Sequence, residues 1–309
     1  MNNYKNSIFY RKILISNFVN SFVNFLMPKK NLTIRNYRGR FGNNLQQIAT
    51  GIIYSELNNA NFYSKKHPQF KKIFLINDSL FNSLKFFKKR FDFFNLNKEN
   101  KLEKYNQQLI SQNFLKEKFY LENINRVCKN IIAEKIKFLK NIDIDEDTLI
   151  IHIRSGEIFN GKDKYLDYVQ NPIAYYEILI EKYPKILIVS ENKENPVIDY
   201  LLKNKKVKFQ SSTAENDFNT LVSATNLATS GVGTFATAAA LVSKKLKNFY
   251  CTDIFLDNHL NPSMLDDQFV KINIYKVKNY IPIGSWIANK QNIERMLDRN
   301  INIIEPNEF

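Results

Sequence analysis

Cysteine is nearly absent: the 309 residues hold two, Cys128 and Cys251, with no C-x-x-C pair. That excludes a disulfide framework and a cysteine-based zinc site, and it fits a reducing compartment. Long apolar runs are also missing. Residues 7–27 come nearest, but Arg11, Lys12, Asn17, Asn20 and Asn24 interrupt them. Neither a membrane span nor a secretory signal is expected. No RNA- or DNA-binding module signature and no internal repeat is visible. Acidic residues are outnumbered 30 to 45 by Lys and Arg, a formal charge of +15. Such an excess speaks of partners rather than fold: nucleic acid, an anionic membrane surface, or phosphorylated small molecules. With 44% hydrophobic and 24% charged residues, the chain is globular and long enough for two domains.

The most informative stretch is residues 148–159, T-L-I-I-H-I-R-S-G-E-I-F. Leu149, Ile150, Ile151 and Ile153 make a short, mostly β-branched run, as in a strand buried on both faces of a parallel sheet. The run stops at Arg154-Ser155-Gly156-Glu157. This puts a fixed cation and a permissive backbone at the strand's carboxyl end, where open α/β sheets bind ligands. Arginine suits a phosphate because its planar fork makes two parallel charge-assisted hydrogen bonds. His152 shares the strand face of Arg154.

Two further stretches have the same character. Near the start, a short strand at 32–34 precedes Gly39-Arg40-Phe41-Gly42-Asn43-Asn44 and a helix expected to run to Leu57. The glycines permit a tight turn and a close approach to a ligand, and the helix N-terminus offers unpaired N–H groups to an anion. Near residue 230, Ser230-Gly231-Val232-Gly233-Thr234-Phe235-Ala236 precedes an apolar, alanine-rich helix from Ala238 to Val242, again an anion cradle. Between these stretches the pattern predicts helices at 172–183 and 195–203 and strands at 185–190 and 207–209. A helix start with Asp217 near its cap and a last strand at 247–251 complete this β-α-β order of a parallel sheet.

The remainder is read more coarsely. Residues 7–27 carry apolar residues at helical spacing, either docked on the body or lying on anionic lipid with Arg11, Lys12, Lys29 and Lys30. A strand is expected at 73–77. Residues 86–94 mix aromatics with basic groups, a core segment with snorkelling lysines rather than a nucleic-acid stacking surface. Helical periodicity spans 113–139, and 141–147 is a polar linker. Asp143-x-Asp145 in that linker reads as solvated charge, not a metal site. A charged helix is expected at 287–299.

Together the three stretches resemble the bacterial α-1,2-fucosyltransferases, within the superfamily that also holds α-1,6- and protein O-fucosyltransferases. The family's first motif has the form G-G-x-G-N-Q-x-F-Q, matched here by residues 39–47. The second, H-x-R-x-G-D, is matched by His152, Arg154, Gly156 and Glu157. The third, D-F-x-x-[LM] followed by S-x-[ST]-F-[SA], is matched by Asp217-Phe218 with Leu221 and by Gly233-Thr234-Phe235-Ala236. Pro172 with Tyr175 and Tyr176 fits the P-x-x-Y-Y that follows the second motif. This chain departs at Glu157, at Asn44 and Gln46, and at 237–240, where the family carries tryptophans.

The resemblance implies an α/β, GT-B-like glycosyltransferase with two Rossmann-like domains facing a cleft. The expected division is an N-terminal helix at 1–27, an acceptor-side domain at 28–146, a nucleotide-sugar domain at 147–275 and a helical tail at 276–309. It implies an inverting reaction without a metal or other cofactor, with GDP-fucose as donor and a bacterial surface glycan, free or lipid-linked, as acceptor. By carry-over Arg154 contacts the β-phosphate, and His152, Gly156 and Asp217 lie at the nucleotide. Thr234, Phe235 and Ala236 present backbone N–H groups to the diphosphate. Gly39, Gly42 and Asn43 face the cleft from the other domain. Glu157 is either an activating base or a salt-bridge partner. Two other readings stand beside this one: another nucleotide sugar such as a GDP-heptose, and a non-catalytic protein binding RNA or anionic lipid. The expected location is cytoplasmic, or peripheral at the inner face of the plasma membrane, where basic residues favour anionic lipid. Nucleic acid is not the expected partner.

Overall fold

The computed structural model describes residues 31–34, 37–57, 60–75, 90–92, 114–160, 165–265 and 268–306. The expected helix at 7–27 and most of the segment at 86–94 lie outside the described residues, as does part of the strand at 73–77.

The N-terminal half contributes a four-stranded sheet: β1 (Asn31–Thr33), β2 (Asn61–Tyr63), β3 (Phe74–Leu75) and β4 (Arg90–Asp92), in the order β3-β2-β1-β4. β1 pairs in parallel with β2 and β4, and β3 is antiparallel to β2. Helix α1 (Phe41–Leu57) links β1 to β2. Its apolar residues recur at steps of three and four as one stripe, and polar Asn44, Gln46, Thr50 and Ser55 on other faces are buried too. Leu45, Ile48, Ala49, Ile52 and Ile53 are all fully buried, as expected of a helix covered on several sides. Helix α2 (Lys118–Val127) packs beside it and runs on into a π turn at Cys128–Ile132.

The C-terminal half is built on a seven-stranded sheet. Its strands are β5 (Thr148–His152), β6 (Lys185–Val189), β7 (Val207–Gln210), β8 (Asn226–Ala228), β9 (Asn248–Thr252), β10 (Lys271–Val277) and β11 (Ile303–Ile304). Their order is β11-β10-β9-β8-β5-β6-β7. All pairs are parallel except β10–β11. Helices α3 (Ile173–Lys182), α4 (Pro196–Leu201), α5 (Ala214–Val222), α6 (Phe235–Val242) and α7 (Lys290–Met296) complete the half. The chain winds outward from β5 through β6 to β7, then returns to β8 on β5's other side and winds the opposite way. That is the Rossmann-like order, and the reversal lies between β5 and β8.

Strand alternation divides the core. Leu149, Ile151 and Ile153 face one apolar cluster with Ile186, Ile188, Tyr175, Tyr176 and Trp286. Ile150 faces the other, which runs unbroken through Phe218, Leu227 and Ala238 to Phe41, Leu45 and Phe62 of the N-terminal half. The two sheets are therefore joined through α1 and α6 by shared apolar packing.

Three expectations need correction. The strand at 247–251 is not the last, because β10 and β11 extend the same sheet. Residues 276–309 are not a separate helical tail: β11 pairs with β10, and Trp286 is fully buried. Helix α5 starts before Asp217, because the Thr213 hydroxyl accepts from the Asn216 N–H and caps it there. Among the described residues no helix is long and apolar enough to cross a membrane.

Candidate functional site

At the carboxyl ends of β5 and β8 the chain opens a cavity of about 530 Å³, of the size that holds a small molecule or cofactor. Its walls include His152, Arg154, Ser155, Glu191, Asp217, Gly233, Thr234 and Phe235 from the C-terminal half. Gly39, Arg40, Gly42, Asn44 and His67 line it from the N-terminal half.

Arg154 leaves the end of β5 with its side chain 16% exposed. Its Nη2 donates to Glu157 Oε1 at 2.9 Å, and its guanidinium lies 5.7 Å from the Tyr168 ring centre. Its Nε is buried and finds no hydrogen-bond acceptor among the described residues. A donor in that state is costly unless a ligand meets it. The backbone beneath is fixed by the loop that opens α4. Asn195 Nδ2 donates to the Arg154 carbonyl, and the Asn195 N–H donates to Ser155 Oγ, both at 2.9 Å. Asn195 also accepts from the Val197 N–H as the helix cap. Gly156 has φ +74°, and a Cβ there would lie 2.6 Å from Glu191 Oε1. The positive φ requires glycine, and a side chain there would also have to displace the Glu191 carboxylate. The following 3₁₀ turn, Gly156–Phe159, is held from the far end of the chain: Trp286 Nε1 donates to the Ile158 carbonyl at 3.1 Å.

His152 packs on Phe235 at 5.4 Å between ring centres. Burial, and then the Arg154 charge, push its pKa down to about 3. The ring is therefore neutral at physiological pH, a hydrogen-bonding wall and not a cation. Asp217 accepts from Gln210 Nε2 at 2.8 Å and from the Ser212 N–H at 3.3 Å, and burial raises its pKa.

The loop from β8 to α6 is rigidly held. Asn171 Nδ2 donates to the Thr229 carbonyl, the Asn171 N–H to the Ser230 carbonyl, and the Val232 N–H to the Val169 carbonyl. Gly231 has φ +99° and leaves only 2.6 Å between a would-be Cβ and the Val169 carbonyl oxygen. Helix α6 then begins at Phe235 rather than Ala238. Its first-turn N–H groups, which include those of Phe235 and Ala236, have no intrahelical partner, and its start borders the cavity.

The first motif closes on this loop. A Cβ at Gly42 would lie 2.6 Å from Thr234 Oγ1 and 2.9 Å from the Thr234 carbonyl. Thr234 Oγ1 donates to Asn43 Oδ1 at 2.9 Å. Arg40 Nη1 donates to Glu191 Oε2 at 2.8 Å, and Arg40 Nη2 lies 3.1 Å from Glu157 Oε1. Glu157 is thus gripped by two arginines.

Asn44 and His67 form a buried polar corner, with Asn44 Nδ2 lying 3.2 Å from His67 Nε2. Because His67 Nδ1 accepts from the Gln69 N–H at 3.1 Å, the ring proton belongs on Nε2. The amide orientation that satisfies this turns Asn44 Oδ1 to the ring and frees its NH₂.

Of the residues expected from sequence, Gly39, Gly42, His152, Arg154, Asp217, Thr234 and Phe235 line one cavity. Asn43, Gly156, Glu157 and Ala236 are not among its lining residues but adjoin them: Asn43 accepts from Thr234, Glu157 pairs with Arg154 and Arg40, Gly156 lies against Glu191, and Ala236 follows Phe235. Asp143 and Asp145 do not join them. Asp145 pairs with Lys185 at the amino end of β5, a strand length away from the cavity. Arg40, Glu191, Asn44 and His67 are the additions that sequence reasoning missed. Glu191 was reachable, since it follows a buried strand at its carboxyl end. No family model, no curated protein and no solved structure matches the chain.

Proposed function

We propose that the protein is an inverting, metal-independent glycosyltransferase of GT-B-like architecture that uses GDP-fucose and a surface-glycan acceptor. The observation that carries this reading is convergence. Three motifs about 60 to 105 residues apart in sequence, each resembling a fucosyltransferase motif, meet at one cavity at the topological switch point. Cavities there suit nucleotides, because strand ends and helix N-termini supply oriented donors.

The chemistry assigned to these groups is a single displacement. The acceptor hydroxyl oxygen bonds to the sugar's anomeric carbon as the bond to the β-phosphate oxygen breaks. The electron pair leaves with GDP, and the hydroxyl proton goes to a base. Negative charge grows on the departing phosphate, and Arg154 and the first-turn N–H groups of α6, which border the cavity, are the donors assigned to it. Glu157 acts as the counter-ion that orients Arg154. The formal charge of +15 supports an acceptor presented at an anionic membrane surface.

The test is release of GDP from GDP-fucose, with a glycan acceptor and with EDTA present. Arg154→Ala is expected to lower turnover roughly a hundredfold to a thousandfold, the scale on which one oriented transition-state donor acts. Unchanged turnover in that variant removes Arg154 from the reaction.

A further inference from the structure

Arg40 stands where the resembled motif carries glycine, so the resemblance assigns it no role. We propose that Arg40 is a second diphosphate-binding cation that works with Arg154, and that Glu157 and Glu191 are the internal counter-ions of the pair. The inference rests on the nucleotide-sugar reading above.

Glu157 Oε1 is shared by two guanidiniums. Arg154 Nη2 lies 2.9 Å from that oxygen and Arg40 Nη2 lies 3.1 Å from it. One anionic oxygen therefore already bridges the two guanidiniums, and a phosphate oxygen in its place would meet the same two forks. The second terminal nitrogen of Arg40 is held by Glu191 Oε2 at 2.8 Å. Two cations and two carboxylates leave the group formally neutral, so the carboxylates hold both guanidiniums in place until an anion competes for them. The turn that bears Arg40 is held firmly against the start of α6 by the Gly42–Thr234 contact and by the hydrogen bond from Thr234 to Asn43. Arg40, Arg154 and the α6 N-terminus thus border one cavity. A diphosphate carries charge on two phosphorus centres, and one guanidinium with one helix end serves only part of it. Arg40 is 54% exposed, so it can turn from its carboxylates to a ligand with little desolvation cost.

A purely structural cross-link and a counter-ion arrangement predict opposite behaviour. If the network only braces the turn, removing either end loosens the site. If the carboxylates compete with a ligand for Arg40, removing one favours the ligand. Isothermal calorimetry on the wild-type chain, Arg40→Ala, Arg40→Lys and Glu191→Gln, with GDP, GMP and inorganic pyrophosphate as probes, separates the two. The expected result is GDP and pyrophosphate binding weakened roughly tenfold to hundredfold in Arg40→Ala, with Lys intermediate and GMP less affected. Glu191→Gln is expected to bind GDP several-fold more tightly, a gain that misfolding cannot imitate. GDP affinity in Arg40→Ala within twofold of wild type overturns the inference and leaves the proposed function standing. So does equal weakening in Arg40→Ala and Glu191→Gln. Wild-type binding of pyrophosphate but not GDP overturns the guanine reading, while the pyrophosphate series still decides Arg40. Binding of neither probe removes both.

Discussion

Glycine 42 shows how much of the site one residue decides. It sits in the first turn of α1, where alanine is favoured over glycine by about 1 kcal/mol. A Cβ would nonetheless lie within 2.9 Å of the Thr234 backbone, which cannot swing aside as a flexible side chain can. Overpacking of this kind costs about 1–3 kcal/mol, so the steric cost exceeds the propensity gain. Gly42→Ala is expected to lower stability by up to about 2 kcal/mol in denaturant unfolding and to push α1 away from α6. Equal or greater stability would show that the close approach is not required. At this scale the sequence was readable wherever a residue's own chemistry is peculiar: glycine in a tight turn, or arginine after a buried strand. Arg40 and Glu191 are 151 positions apart, and nothing local in either announces the other. Glu157 illustrates the same limit. Its proximity to Arg154 was visible, but its second arginine came from the other end of the chain.

Elements were legible in proportion to their length and periodicity. α1, α3, β5 and β6 carry clear apolar patterns and stand where the sequence puts them, within a few residues. β8 was missed because it is only three residues long and begins with a polar Asn226. That asparagine is tolerated in a central strand because its Nδ2 donates to the Glu146 carbonyl at 2.6 Å and its Oδ1 accepts from Asn248 Nδ2 at 2.8 Å. β10 alternates Lys271, Ile272, Asn273, Ile274 and Tyr275 with mixed burial, a weaker signal than a continuous apolar run. The early start of α6 matters most for function. Counting the helix from Phe235 rather than Ala238 moves its free N–H groups to the cavity edge. The sequence held the cue, since Thr234 is followed by uninterrupted helix-compatible residues, but phenylalanine at a helix start is not a capping signal.

For the whole molecule, strand order could not be read from one sequence, because it depends on which side of β5 the chain returns to. Once β8 lies beside β5, the switch point follows, and with it the reason the second and third motifs meet. The shared apolar cluster through α1 then brings in the first. Acid sensitivity is also a property of the whole chain. All three histidines, His67, His152 and His259, have pKa values lowered chiefly by burial. Below their ordinary value of about 6.5 the unfolded chain binds more protons than the folded one. This stability is fully present above that pH and is lost as pH falls toward the folded value, about 3 for His152. Asp217, with a raised pKa, acts in the opposite sense, but only in the window directly above the ordinary carboxylate value. Unfolding midpoints in urea are therefore expected to fall between pH 7.5 and pH 5, and His152→Asn is expected to flatten that slope. A profile that is flat in the wild-type chain would contradict the burial argument.

The account stands on a nucleoside diphosphate bound at the β5–β8 switch point. The most direct measurement is thermal unfolding with GDP, UDP, CMP and dTDP, each with EDTA and with Mg²⁺. GDP at about 100 times its Kd adds roughly 2.7 kcal/mol to the folded state, a rise in Tm of about 4 °C for a chain of this size. The account predicts that rise for GDP above the other nucleotides, equal with and without Mg²⁺. No rise with any of the four would contradict it.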